Sequence, residues 1–229
     1  MNWNPEPTEL TTAATDAVLA ILAIVALAAI RRRRRTDPWK ADLWSWLLGL
    51  LAAASLLGAV AHGFELSERT TDLLWLPLYL FLGLVVALFL VAAIRDDLGE
   101  AAARRALPWM VGIGFGFFLI TRVGSGSFLV FVAYEALAML AALGFFADAT
   151  IRRRVPGAGL MTLGVGLNLG AAAIQQSPAH LSISGVPFDH NGLFHIVQMA
   201  ALGVLTAGVL RGFSRSPGPS RPSAKRTAR

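Results

Sequence analysis

The chain contains no cysteine, which excludes disulfides, iron–sulfur clusters and any thiolate nucleophile or metal ligand. Charge is scarce too. Only 15% of the 229 residues are Asp, Glu, Lys or Arg, against 55% hydrophobic residues, and the mean hydropathy is +0.61. That balance is too apolar for an ordinary soluble domain and fits an all-α, polytopic membrane protein. The two lysines, Lys40 and Lys225, both lie in the flanks of apolar segments. A retinal protein, which needs a Schiff-base lysine in its last span, is thereby set aside. No internal repeat is evident, which leaves a small transporter built on Glu135 without the repeat symmetry common in such folds.

What the chain has in quantity is long apolar runs. A helix crossing the hydrocarbon core needs about 20 mostly apolar residues, and seven segments qualify: roughly 10–30, 41–63, 72–94, 103–122, 125–147, 157–176 and 190–210. The first resembles a secretory signal in length. Its flanks argue otherwise, with Glu6 and Glu9 before the run and Arg31 to Arg35 after it. That polarity predicts an anchor with its N-terminus outside.

The stretches 31–40, 95–105, 152–154 and 211–229 hold 18 of the 20 Lys and Arg residues. The alternate connections hold only Arg69 and Arg122. With seven spans, this bias predicts N-terminus out and C-terminus in. The net charge of +6 and a pI near 10.9 are then accounted for by topology and anionic headgroups rather than nucleic acid. The expected organisation is an outer segment 1–9, a seven-span bundle 10–210, and a disordered, basic cytoplasmic tail 211–229. High Ala, Arg and Gly content points to a bacterial inner membrane. Small-residue runs inside spans, Gly112-x-Gly114-x-Gly116 and Gly164-x-Gly166, are read as close helix contacts.

All four histidines fall near the outer end of these spans, opposite the basic loops. Histidine inside a bilayer is costly and usually functional. His62 ends span two, Asp72 opens span three, and span seven begins Asp189-His190-Asn191-Gly-Leu-Phe-His195. Ser55 lies seven residues before His62 and so on nearly the same helix face. Imidazoles are common zinc ligands, and three of them plus water make an open site of the catalytic type. A carboxylate such as Asp72 would orient zinc-bound water or take its proton. Plainer roles stand beside these. His62 alone reads equally well as an interfacial residue, and His180 reads better as one. Asp72, Asp189 and Asn191 are also suited to helix caps, and His195 to a structural hydrogen bond. Glu135, midway along span five, should face the interior with Asn168 or Gln198 as its partner. Gln175 and Gln176 end span six and mark the interface.

The seven spans, a Ser and a His late in span two, an Asp opening span three and paired His starting span seven together resemble the superfamily of alkaline ceramidases and adiponectin receptors. The resemblance covers the span architecture and about five residues. It implies a zinc ion held by His62, His190 and His195, with Asp72 as the water-orienting carboxylate and Ser55 as a site hydroxyl. The implied activity is hydrolysis of a lipid amide or ester, with membrane lipids as partners. Two departures are visible. The family spaces its last two histidines four apart, whereas His190 and His195 are five apart, a rotation of about 140° on an ideal helix. Both meet one metal only if His190 precedes the regular helix. The family's Ser lies four before its His, a position that Gly58 occupies here. A receptor, sensor or accessory protein binding a lipid or a metal, and a haem protein with two of these His as ligands, are the competing expectations.

Overall fold

In the computed structural model, the described residues are 2–123 and 127–213; side chains 127 and 128 are not described. They form seven helices: α1 (Pro7–Arg31), α2 (Pro38–Gly63), α3 (Glu68–Leu98), α4 (Glu100–Val123), α5 (Ser127–Ile151), α6 (Ala158–Gln175) and α7 (His190–Arg211). Each has a stretch long and apolar enough to cross a membrane. These match the seven expected segments, with α3 starting four residues earlier. The expected tail meets the described residues only at Arg211–Phe213, where α7 ends, and otherwise lies outside them.

The helix ends follow from local chemistry. Asp37 caps α2 by accepting from the Lys40 backbone N–H at 2.9 Å, with Pro38 in the first turn, where its missing N–H costs nothing. Ser67 caps α3 and accepts from the Thr70 N–H. Asp189 caps α7 and accepts from the Gly192 N–H at 2.9 Å. Between α6 and α7 stands a hairpin of β1 (Leu181–Ile183) and β2 (Val186–Phe188), antiparallel with Ile183 opposite Val186. Its two-residue turn, Ser184 and Gly185, has φ of 53° and 83°, the left-handed pair that a tight hairpin requires.

Neighbouring helices close a ring in the order α1, α2, α3, α5, α6, α7 and back to α1. Helix α4 stands outside the ring against α3 and α5. Its contact with α3 is close because Gly83 and Gly114 face each other. A Cβ on Gly83 would lie 2.9 Å from the Gly114 carbonyl oxygen, a small-residue seam of the kind that joins apolar helices. Of the sequence's two small-residue runs, Gly114 and Gly164 make such contacts, and Gly112, Gly116 and Gly166 face open space.

The two ends of the ring differ in chemistry. At the arginine-bearing end, Lys40 is fully buried, 3.4 Å from Asp96 and with its ammonium over the Phe213 ring. Arg95 joins this network through Asp37 and Asp96, and Arg154 meets the buried Asp97 at 3.1 Å. At the histidine-bearing end, the N-terminal segment folds over the end of α2. Trp3 stacks on Phe64, and Asn4 donates from its backbone to the Gly63 carbonyl and from its side chain to the His62 carbonyl.

Candidate functional site

The ring encloses a cavity of about 420 Å³ toward the histidine-bearing end. Every ring helix lines it, and α4 does not. The walls are largely apolar, with Leu51, Leu78, Leu82, Val86 and Phe131 among them, together with the aromatic rings of Trp75 and Tyr79. The polar lining comprises Asp16, Ser55, His62, Glu135, Gln175, His190, Asn191, His195 and Gln198.

Helix α1 organises the polar end. Four of its residues, Glu9, Thr12, Thr15 and Asp16, reach across to the two histidine-bearing helices. Glu9 meets His62 Nδ1 at 2.7 Å. Thr15 Oγ1 lies 3.0 Å from His195 Nδ1, and its hydroxyl donates to the Thr12 carbonyl at 2.8 Å. A hydroxyl carries one proton, so with that proton on Thr12 the Nδ1–H of His195 donates to Thr15. The other nitrogen, Nε2, then faces Asp16 Oδ1 at 3.5 Å. Thr12 in turn donates to Asp189 at 3.1 Å, which ties α1 to the cap of α7. Asp16 is 6% exposed and His195 9%. A bare Nε2 lone pair and a carboxylate oxygen would repel, so a proton lies between them, on Asp16 or on Nε2.

The structure brings Ser55, His62, His190 and His195 to one cavity; the seven-residue step on α2 predicts this for Ser55 and His62, whereas the five-residue step on α7 does not predict it for His190 and His195. It places Asp72 elsewhere. Because α3 starts at Glu68 with Ser67 as its cap, Asp72 falls in the second turn, exposed and outside the cavity lining. Asp72 is therefore neither a cap nor, in this arrangement, a carboxylate facing the histidines. Asp16 holds that position instead. It is the cavity residue that sequence reasoning passed over, although a carboxylate inside the apolar run of α1 is the same kind of signal that singled out Glu135. Gln175, read as an interface marker, also lines the cavity and donates to Asn191 Oδ1 at 3.4 Å.

Zinc would require three nitrogens at about 2.0–2.1 Å from one point. His190 is the first residue of α7 rather than a residue before it, and its ring lies edge-on to His180 at 6.5 Å, while His195 turns toward Asp16 and Thr15. Among the described residues, no group of three or more His, Asp or Glu side chains is set to hold a metal. The trio His62, His190 and His195 does not fit one zinc ion as arranged.

No curated protein matches the chain, and no solved structure does. One family profile covers residues 11–213, which takes in six of the seven helices whole, all of α1 from Thr11 onward, and every residue lining the cavity. The chain belongs to the family DUF6962, described as a family of unknown function.

Proposed function

We propose that this is an integral membrane protein that binds an amphiphilic lipid in the cavity of its helical ring. The observation that carries this reading is one cavity in which apolar walls lead to a polar end made by Asp16, Ser55, His62 and His195. Apolar lining with a few convergent polar groups is the usual character of a small-molecule site. The distribution of Lys and Arg supports N-terminus out and C-terminus in, so the polar end opens toward the outer leaflet. The composition is compatible with a bacterial inner membrane.

Direct binding tests the reading. Purified protein in nanodiscs is titrated with a C16 fatty amide and with the matching alkane, and complexes are counted by native mass spectrometry. The expected result is one amide per chain and no alkane, with Leu82→Trp, which builds a larger side chain into the cavity wall, abolishing the complex. Equal binding of both probes, or of neither, overturns the proposal.

A second reading is hydrolysis of a lipid amide or ester. It is favoured by the meeting of Ser55 with His62, His190 and His195 on the same cavity. The cavity would hold the scissile bond at its polar end, and the Asp16–His195 pair would exchange a proton there. Zinc belongs to this reading only if the side chains rearrange. Release of fatty acid from the amide or the matching ester by wild type, lost in His195→Ala, carries it. Zinc content of the two proteins, measured by mass spectrometry, decides whether the metal takes part. Binding without release in the presence and absence of added zinc leaves a receptor, sensor or accessory protein.

A further inference from the structure

The main cavity does not stop at its histidines. A smaller chamber of about 70 Å³ continues toward the arginine-bearing end and shares Leu51, Val85, Val86, Glu135 and Gln198 with it. At about 30 Å³ per water, the chamber has room for a group of roughly two heavy atoms. Gln198 lies three residues beyond His195 on α7, about 4.5 Å deeper at 1.5 Å per residue. The remaining wall, including Trp44, Leu48, Phe89, Met139 and Leu202, is apolar.

Among the described residues, two polar groups in this chamber lack side-chain partners. Among the described residues, no side chain hydrogen-bonds or ion-pairs with Glu135. Its carboxyl sits deep in the protein while keeping accessible surface, and that surface faces the cavity. Asn168 Oδ1 is buried with no hydrogen-bond partner. Among the described residues, no Lys or Arg lines either space. A buried acceptor left unpaired is expensive, so such groups normally meet a bound water or ligand. Both groups are acceptors when Glu135 is ionised, and their complement is a donor-rich cation.

Resting on the amphiphile-binding reading, we propose that this chamber is a deep polar subsite that receives a primary amine of the bound amphiphile. An ammonium has three N–H donors and no acceptor. The two oxygens of Glu135 and the Oδ1 of Asn168 supply three acceptors and the neutralising charge. A hydroxyl has only one donor and no charge, so the subsite discriminates between the two.

The test uses hexadecylamine and hexadecanol as probes, bound to nanodisc-reconstituted protein and quantified by native mass spectrometry. Wild type should prefer the amine by about tenfold or more, the scale of one charge-assisted hydrogen bond. Glu135→Gln, which keeps the shape, should bring the two probes within about twofold of each other. Asn168→Leu should narrow the preference independently, which guards against a folding defect in the first variant. No amine preference in wild type, or the same preference in both variants, overturns the subsite and leaves the chamber to water. If hexadecanol binds and is lost in Leu82→Trp while the amine is not preferred, only the subsite falls. If neither probe binds, the amphiphile reading falls with it.

Discussion

The carboxylate of Asp16 fills the space that a side chain at Gly58 would need: a Cβ built on Gly58 would stand 2.6 Å from Oδ2 of Asp16. The absence of a side chain on α2 is what allows α1 to bring an acid beside His195. Gly58→Ala should therefore push the acid out of place and cost about 1–3 kcal/mol, as overpacking does. Asp16→Ala removes the obstruction, so the double variant should lose less than the sum of the single losses. Thermal unfolding of the four proteins in one detergent measures this coupling, and strictly additive losses would refute the contact.

Asp189 holds two helices at once, capping α7 through the Gly192 N–H and accepting from Thr12 on α1. Asp189→Ala should cost about 1 kcal/mol for the cap alone, and more because Thr12 loses its partner. Asp189→Asn keeps a side-chain oxygen in place and should be nearly silent. Thr12→Val should reproduce part of the alanine effect without touching the cap. The unfolding midpoints of the three variants separate these contributions. A silent Asp189→Ala would show that the α1–α7 seam does not depend on this residue.

Much of this architecture was legible in the sequence because membrane spans are written in composition. The runs ending at His62 and starting at His190 carried their own depth, and the seven-residue step from Ser55 to His62 carried their shared face. What the sequence did not carry was the rotation of each helix against its neighbours. Asp72 was expected beside the histidines because it lay near the start of span three. An earlier cap at Ser67 moved it to an exposed face. Asp16 was overlooked because its partner His195 is far away in the chain, and the room for its carboxylate is left by Gly58, which has no side chain to announce a contact. Likewise, the fifth-residue step from His190 to His195 was visible at once, but only the cap at Asp189 decided that His190 begins the helix.

The buried charges at the other end predict a large asymmetry between two lysine or arginine substitutions. Lys40 is fully buried against Asp96, whereas the Arg34–Asp42 pair, at 2.7 Å, is exposed. Removing one partner of a buried pair costs about 3–5 kcal/mol. Lys40→Ala should fall toward the lower end of that range because Arg95 remains 2.9 Å from Asp96. Arg34→Ala should be close to silent, since water already screens that pair. Denaturation of both variants under identical detergent conditions checks the contrast, and equal losses would contradict the burial of Lys40.

The absence of cysteine makes the proposed orientation directly measurable, because any introduced thiol is the only one in the protein. Ser182 is exposed in the hairpin between α6 and α7, at the histidine-bearing end, and Thr36 is exposed between α1 and α2, at the arginine-bearing end. Neither side chain makes a contact whose loss would unfold the bundle. With N-terminus out, a membrane-impermeant maleimide applied to intact cells should label Ser182→Cys and leave Thr36→Cys untouched until the membrane is permeabilised. The reverse pattern would turn the polar end of the cavity toward the cytoplasm. A lipid from the inner leaflet would then be its ligand, and the positive-inside argument would fail for this chain despite the stretches 31–40, 95–105, 152–154 and 211–229 holding 18 of its 20 basic residues. Labelling of both positions before permeabilisation would mean that the helices do not cross the membrane as a seven-span bundle.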